Sequence, residues 1–341
     1  MTVHLLPWDT NRNLVEDANR LYDQAGTFNG IQKGDLVAIK VHVGELGNPY
    51  YVQPCFVHDI VRRVKELGAK PFLTDSNTYY LAQRHNAYDH MQTALINGFS
   101  LAPFIVADGL KGENFTAIKT KGILSEIEVA GAVAQADAMI VVSHCKGHEI
   151  SGFGGAIKNL GMGCTSIAGK LRQHRTVGLE IDSSKCTGCG KCREVCAFEA
   201  PEIIEGKAHN TSPKCMRCAM CIGCCPVEAI RFVDKQNICL ALASAAYGVL
   251  SIFKSEKVSY VSFAKDIAAT CDCVPAPGDI VLKDVGIFAS DSAVSIDAAF
   301  LHSVDYKIFN EMYAVDCMGQ VLEAKALGLT GDVKPKIQVL A

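Results

Sequence analysis

The amino-acid sequence predicts an α/β protein in which a mainly parallel sheet domain is interrupted by a small α+β domain. Three observations lead to this fold class. Strand-like and helix-like stretches alternate up to about residue 178, the alternation resumes after about residue 237, and nine of the sixteen cysteines lie between 186 and 225. A chain of 341 residues has room for two or three domains. We therefore predict domain boundaries at 1–178, 179–236 and 237–341.

The first α/β part opens with an apolar, strand-like run at 35–43. A helix is expected over 54–67, because Pro54 suits a first helical turn and Gly68 a helix end. Further strands are predicted at 71–75, 103–107, 115–119 and 138–143, and further helices at 85–97 and 129–136. Strands that alternate with helices in this way indicate a mainly parallel sheet.

The second α/β part repeats this alternation. Its strands are predicted at 258–263 and 280–288, and its helices at 292–301 and 317–327. The apolar run Ile238–Phe253 has 16 uncharged residues, whereas a membrane-spanning helix needs about 20. We expect a buried helix there and no membrane span. Two separate α/β domains flanking the cysteine-rich segment would give a similar pattern.

The cysteine-rich segment repeats itself after 29 residues, which separate Cys186 from Cys215. Each run has the form C-x2-C-x2-C-x3-C, and proline follows the second run. This spacing resembles the bacterial ferredoxin pattern, in which the fourth cysteine of each run binds the other cluster. The resemblance implies two [4Fe–4S] clusters. One would be bound by Cys186, Cys189, Cys192 and Cys225, and the other by Cys215, Cys218, Cys221 and Cys196.

Structural zinc is the alternative, because paired C-x2-C elements also form zinc ribbons. The full C-x2-C-x2-C-x3-C run, repeated after 29 residues, favours clusters over zinc. Cys224 abuts Cys225, and the 29-residue register together with Pro226 favours Cys225 as the ligand. We therefore interpret the segment as a ferredoxin-like domain and Cys224 as a spare thiol.

Several stretches outside the cysteine repeat resemble the DUF362 family, specifically its uncharacterised iron–sulfur branch. They are "KVHVGELGNPYY" (40–51), "KPFLTDSNTYY" (70–80), "RHNAYDHMQTALINGF" (84–99), "GGAIKNLGMGC" (154–164), "GKLRQH" (169–174), "TCDC" (270–273) and "IFASDSAVSIDAA" (287–299). The resemblance covers nearly the whole chain. It implies an α/β body with two clusters, but no particular reaction.

Polar residues collect where predicted strands end, which is where ligands bind in parallel α/β sheets. The candidates that could bind an anionic substrate or cofactor are Lys40, His42, Asp75, Asn77, Lys146, Gly154, Gly155 and Asn159. His148 and Lys158 are the candidate catalytic residues. Glycines ahead of a helix let backbone N–H groups approach an anion, so residues 143–164 are interpreted as an anion-facing loop. A structural glycine turn stays an alternative.

Two metal hypotheses also stay open outside the cysteine repeat. His144 and His148 could bind a mononuclear metal with help from Cys145 or Cys164, although Gly147 makes a loop more plausible than a helix here. Cys271 and Cys273 could form a third metal site or a redox pair, or be buried structural thiols. In a strand their side chains would point to opposite faces, and only a turn would let both bind one metal.

These patterns favour an iron–sulfur oxidoreductase that relays electrons to an anionic substrate or cofactor, with a further organic cofactor or metal left open. A non-catalytic electron-transfer protein and a metal-handling or maturation protein are the alternatives. A ferredoxin, flavoprotein or reductase is the expected redox partner. The net charge of −3, with no basic tail, argues against nucleic-acid binding. Many cysteines and no signal-peptide pattern lead us to expect a cytoplasmic protein.

Overall fold

The structure, a computed structural model, describes residues 1–210 and 212–340. Its strands are β1 (Thr2–Pro7), β2 (Leu36–Val41), β3 (Lys70–Asp75), β4 (Phe104–Val106), β5 (Phe115–Lys119), β6 (Glu126–Ala130), β7 (Ala138–His144), β8 (Lys146–His148), β9 (Gly152–Gly154), β10 (Gly178–Ile181), β11 (Glu202–Ile204), β12 (Lys207–His209), β13 (Ile230–Val233), β14 (Val258–Ala264), β15 (Ile267–Ala268), β16 (Ile280–Leu282), β17 (Gly286–Ser290) and β18 (Lys336–Val339). Its α-helices are α1 (Leu14–Gln24), α2 (Pro54–Glu66), α3 (Ala87–Ile96), α4 (Gly131–Ala134), α5 (Ala156–Gly163), α6 (Ile167–His174), α7 (Lys191–Glu194), α8 (Met220–Gly223), α9 (Gln236–Leu250), α10 (Ala293–Ser303), α11 (Lys307–Tyr313) and α12 (Gly319–Ala326).

Eight strands form the central sheet, in the order β18-β1-β17-β14-β7-β2-β3-β4. Strand β17 is antiparallel to both of its neighbours, and the other pairs are parallel. The predicted mainly parallel sheet is thus confirmed. The strand predicted at 280–288 is wrong in detail, since it is split into β16 and the reversed β17. Residues 265–285 contain no helix to carry the chain back across the sheet, so β17 returns antiparallel.

A second difference concerns the strand predicted at 115–119 and the helix predicted at 129–136. β5 pairs with β6 in an antiparallel hairpin outside the central sheet. Instead of the helix predicted at 129–136, the structure has only the single turn α4, because residues 129 and 130 belong to β6. Most side chains of β5 are exposed, and a strand in the interior of a parallel sheet would be buried on both faces.

The central sheet is buried on both faces, as β7 illustrates. Met139 and Val141 pack with the core that includes α5, α9 and α10, whereas Ile140 and Val142 pack with the core that includes α1 and α2. The expected buried helix is α9, whose alanine-rich middle is enclosed. No helix among the described residues is long and apolar enough to cross a membrane.

The cysteine-rich segment lies between α6 and α9, and the strands before and after it share the central sheet. Here β10 pairs with β13 and β11 with β12 in two small antiparallel sheets, and the one-turn helices α7 and α8 follow the first two cysteines of each run. Positive φ angles recur at 29-residue offsets. The pairs are Gly188 (67°) with Arg217 (53°), Gly190 (81°) with Ala219 (69°), Glu199 (50°) with Glu228 (49°), and Glu205 (49°) with Asp234 (56°). The repeat in the sequence is therefore also a repeat of the backbone.

Candidate functional site

A cavity of about 660 Å³ lies at the carboxyl ends of β2, β3 and β7. One wall is formed by the residues that end or follow these strands, and α5 and α6 contribute further side chains. The opposite wall comes from the cysteine-rich segment, through Val195, Cys218, Ala219, Met220, Ile222, Gly223 and Cys224. The second cysteine run thus faces the strand ends across one shared space.

Nearly all the polar residues predicted from the strand ends meet at this cavity. Its lining includes Lys40, His42, Asp75, Lys146, His148, Gly154, Gly155, Lys158 and Asn159. Asn77 is held elsewhere, because its side-chain amide donates to Asp108 Oδ1 at 3.1 Å and to the Gly109 carbonyl at 2.9 Å. Its side chain joins loops instead of facing the cavity.

Lys40 is fully buried and held by two partners. Its ammonium lies 3.0 Å from Asp75 Oδ1 and donates to Asn159 Oδ1 at 2.6 Å. The Asn159 amide in turn donates to the Val142 carbonyl at 2.9 Å. Burial raises the pKa of the Asp75 carboxyl, but Lys40 and other nearby cations more than offset this and leave that pKa below its usual value. This side of the cavity therefore holds a fixed, ionised pair.

Four of the cavity's functional groups escaped prediction. Arg84 pairs with Glu45 at 3.1 Å and with Asp75 at 3.5 Å. Lys170 and His174 reach the cavity from α6, and burial lowers the Lys170 pKa to about 8 and the His174 pKa to about 4. Tyr79 lies beside His174, with ring centroids 4.6 Å apart. The i, i+4 spacing of Lys170 and His174 could have signalled a shared helix face.

The start of α5 differs from the predicted anion-facing loop. The backbone N–H groups of Ala156 and Ile157 donate to the two carboxylate oxygens of Asp297, at 2.7 and 2.9 Å. A buried carboxylate of the protein itself therefore takes the position expected for an external anion. Gly155 permits this approach, since a Cβ atom there would lie 2.4 Å from Asp297 Oδ1. The N–H groups of Ala156 and Ile157 are therefore not free for a ligand. Gly154 and Gly155 line the cavity, and ligand binding at these two residues stays a prediction.

The two histidines of the loop have different surroundings. His144 is fully engaged, since its Nδ1 lies 2.8 Å from Asp272 Oδ1 and its Nε2 lies 2.6 Å from the Lys265 carbonyl oxygen. His148 has partners at Nδ1, where the nearest is Ser151 Oγ at 3.0 Å. Burial and the nearby Lys158 ammonium hold the His148 pKa well below its usual value. His148 is therefore neutral at the edge of the cavity.

The four remaining cysteines considered as metal ligands fall into two groups. Cys145 and Cys164 are buried in the apolar core, where burial raises the pKa of both thiols. Cys271 and Cys273 are instead the first and third residues of a β-turn, which is closed by the hydrogen bond from the Val274 N–H to the Cys271 carbonyl at 3.2 Å. The Cys271 and Cys273 sulfurs and a His148 ring nitrogen all lie within 4.8 Å of one another. The turn, not a strand, thus gathers both thiols.

The cysteine repeat brings together one of its two predicted sets of ligands. Cys186, Cys189, Cys192 and Cys225 line one small cavity, whereas Cys224 faces the large one. Backbone N–H groups point at several of the sulfurs. Ala200 donates to Cys196 Sγ at 3.4 Å, and its repeat partner Ala229 donates to Cys225 Sγ at 3.3 Å. Cys215 Sγ accepts from the Asn210 side-chain amide at 3.1 Å. Such bonds suit thiolates that bind iron–sulfur clusters.

Fold and site together define an α/β protein with a cation-rich cavity beside a duplicated cysteine run. A family described as "Domain of unknown function (DUF362)" matches residues 37–302. The chain belongs to this family, which confirms the resemblance seen in the sequence.

Two curated relatives match shorter stretches. Over 81 residues the chain is 30% identical to the "Uncharacterized ferredoxin MJ0155" of Methanocaldococcus jannaschii. The aligned stretch covers 23% of the chain and 53% of that relative. Over 64 residues the chain is 25% identical to the "Putative electron transport protein YsaA" of Escherichia coli. The aligned stretch covers 17% of the chain and 41% of that relative. The chain thus spans about half the length of these relatives or less.

Two solved structures resemble the chain at low identity. One is the lactate racemase apoprotein from Thermoanaerobacterium thermosaccharolyticum, with a TM-score of 0.42 and 13% identity over 84% of this chain and 53% of that one. The other is a structural-genomics protein from Thermotoga maritima, with a TM-score of 0.41 and 11% identity over 89% of this chain and 59% of that one.

Proposed function

We propose that the chain is an iron–sulfur electron-transfer protein whose two [4Fe–4S] clusters exchange electrons with an anionic substrate or cofactor in the large cavity. One observation carries this proposal. The second cysteine run forms a wall of the cavity that the strand-end cations line on the other side. A cluster in that run would therefore stand next to any ligand bound at the strand ends.

The eight cysteines of the repeat are the proposed ligands. Cys186, Cys189, Cys192 and Cys225 would hold one cluster, and Cys215, Cys218, Cys221 and Cys196 the other. The small cavity lined by the first set and the matching N–H···S bonds of Ala200 and Ala229 support this assignment. Each bound cluster would supply one electron at a time.

The charge of the cavity favours an anionic ligand. Six cationic side chains line it against the two carboxylates of Asp75 and Glu149. The cations are Lys40, Arg84, Lys146, Lys158, Lys170 and Lys235. Lys40 and Asp75 neutralise each other, and burial raises the Glu149 pKa, which weakens the second negative charge. Lys146 is already paired with Asp272 at 3.1 Å, and the Asn159 amide donates to the Val142 carbonyl and to Ser143 Oγ. Lys158 is thus the cation placed to orient a carboxylate or phosphate, and neutral His148 is placed to donate or accept a proton.

A non-catalytic electron carrier is the second candidate function. The names of the two curated relatives favour it, since one is called a ferredoxin and the other a putative electron transport protein. The polar, charged cavity argues for a ligand, because a pure docking platform has no need of six buried or half-buried cations.

The test begins with protein purified without oxygen. Iron, acid-labile sulfide and released small molecules are measured in one sample, and about eight irons per chain are expected for two [4Fe–4S] clusters. Iron well below this value in a fully loaded preparation would exclude the two clusters.

The cavity is tested with Lys158→Ala against Lys334→Ala, which removes an exposed lysine far from the site. We expect Lys158→Ala to reduce the amount of co-purifying anionic ligand about tenfold, corresponding to the loss of one charge-assisted hydrogen bond. Lys334→Ala should retain it. Equal ligand content in both variants, with clusters intact, would remove Lys158 from the site.

A further inference from the structure

The turn at Cys271 brings together a ligand set that contains no cysteine of the repeat. The Cys271 sulfur is fully buried, the Cys273 side chain is half-buried, and His148 is half-buried beside them. The three ligand atoms lie within 4.8 Å of one another. Cys273 and His148 line the large cavity, so the set has a buried side and an open side.

We propose that Cys271, Cys273 and His148 bind one divalent transition-metal ion of the Zn²⁺ type, whose fourth coordination position faces the cavity. Two thiolates and an imidazole are soft or borderline ligands, which select such ions over Mg²⁺ or Ca²⁺. Three protein ligands with one open position are the arrangement of a catalytic zinc site. The inference deepens the proposed function, because the open position is where the anionic ligand would bind.

The geometry needs only a small adjustment to close round an ion. With metal–sulfur bonds of about 2.3 Å and metal–nitrogen bonds of about 2.0 Å, tetrahedral ligand atoms stand roughly 3.5–3.8 Å apart. The present upper limit of 4.8 Å therefore leaves about 1 Å to be taken up by side-chain rotation. Cys273 lies on the turn and lines the cavity, so its side chain has open space on one side.

The surroundings also suit a bound metal. His148 Nδ1 lies 3.0 Å from Ser151 Oγ, and this hydroxyl donates its own hydrogen to the Phe153 carbonyl at 3.0 Å. The backbone N–H groups of Ile150 and Ser151 also point at Nδ1, at 3.3 and 3.2 Å, so Nδ1 is an acceptor here. Metal binding through Nε2 would require the other tautomer, in which Nδ1–H donates to Ser151 Oγ. On the other side, Lys158 Nζ donates to Cys271 Sγ at 3.5 Å. An ammonium at that distance would neutralise part of the thiolate charge.

Metal binding changes the role of His148. As a ligand it would no longer donate or accept a proton, and a water or anion on the metal would take over that part. The second cysteine run lies across the same cavity, so a cluster there and the proposed metal would face one bound ligand from two sides. A disulfide between Cys271 and Cys273 is the competing arrangement, but it gives the nearby histidine no role.

The test uses the full-length protein, loaded with clusters and purified without oxygen. It is equilibrated with Zn²⁺, desalted, and analysed for zinc, iron and sulfide. We expect about one zinc per chain in addition to the cluster iron. X-ray absorption at the zinc edge should show two sulfur neighbours at about 2.3 Å and at least one nitrogen at about 2.0 Å.

Variants separate this site from adventitious binding. Cys271→Ser, Cys273→Ser and His148→Gln should each weaken zinc binding by about 100-fold, at least as much as losing an outer-shell partner. Cys55→Ser, which removes an exposed cysteine, should bind zinc as the original protein does. Iron and sulfide should stay unchanged in all four variants.

Three outcomes would overturn the proposal. They are a fully iron-loaded protein that takes up no zinc, a zinc signal that survives in Cys271→Ser and Cys273→Ser, and a Cys271–Cys273 disulfide in the isolated protein. Low iron with normal zinc uptake would instead contradict the proposed function and leave the metal site standing.

Discussion

Asp297 accepts a hydrogen bond of 2.7 Å from the backbone N–H of Ala156, although 141 residues separate the two. With its second oxygen the same carboxylate accepts from the Ile157 N–H at 2.9 Å. Helix α10 thereby caps helix α5 from across the core. This contact fixes the start of α5. It thereby also fixes the positions of Lys158 and Asn159, which lie in the first turn of that helix. Asp297 therefore positions side chains that line the cavity, although it does not line the cavity itself.

The pH dependence of stability should reveal this contact. Burial raises the Asp297 pKa to about 7, above the ordinary carboxyl value, even though the two N–H bonds and Lys146 act to lower it. A raised folded-state pKa contributes stability that is present at low pH and lost as pH rises through about 7. We expect the advantage of the original protein over Asp297→Asn in melting temperature to shrink between pH 5.5 and pH 8. A pH-independent difference would contradict this account.

Gly155 is the second part of the same contact. A Cβ atom at this position would lie 2.4 Å from Asp297 Oδ1 and 2.8 Å from the Phe153 ring. We expect Gly155→Ala to destabilise the protein by about 1–3 kcal/mol, the range found for overpacked cores. Gly223→Ala is the control, because no atom lies within 4 Å of its added Cβ. Thermal unfolding of both variants measures the difference. Equal melting temperatures would contradict the prediction and show that the surrounding core can move to make room for the added methyl group.

Cys224 and Cys225 form a matched pair for the cluster ligands. Cys225 shares a small cavity with three cysteines of the first run, whereas Cys224 faces the large cavity. We expect Cys225→Ser to lose about one to four irons per chain, since one cluster would lack a ligand. Cys224→Ser should keep its iron and sulfide. Iron analysis with electron paramagnetic resonance of the reduced protein tests this, and the reverse result would exchange the roles of the two residues.

The buried pair of Lys40 and Asp75 supports a prediction about stability. Removing one partner of a buried ion pair leaves an uncompensated charge, which costs about 3–5 kcal/mol. Asp75→Asn should show a loss of this order, because Lys40 and Arg84 both lose their shared anion. Glu66→Gln breaks the exposed pair with Arg62 and should cost less than about 1 kcal/mol. Chemical denaturation with the clusters intact compares the two, and similar losses would mean that water reaches Asp75.

Local sequence patterns predicted those parts of the structure that depend on local interactions. The apolar run at 35–43 contains β2, and α2 begins at Pro54 and ends just before Gly68. Both predictions succeeded because helix caps and apolar periodicity depend on residues that are close in sequence. The strand-end rule brought Lys40, Asp75 and Lys158 to one cavity for a similar reason, since parallel strands end at one edge.

Contacts between distant segments were not predictable in this way. Nothing in the glycine-rich stretch 152–155 indicates that Asp297 will occupy the start of α5. The reversal of β17 depends on the absence of a helix in 265–285, and a strand pattern alone carries no direction. Cys271 and Cys273 needed a turn to meet, and the sequence did not decide between a turn and a strand.

The left-handed positions of the cysteine segment show how far its two halves share one backbone conformation. Of the eight matched positions only Gly188 and Gly190 are glycines, and six L-residues hold the same sign of φ at a cost of about 1–3 kcal/mol each. Strain of this kind persists where the surrounding structure requires it. The two halves therefore keep the same sign of φ even where their residues differ, as at Glu205 and Asp234. At such positions the repeat is carried by backbone shape and not by matching amino acids.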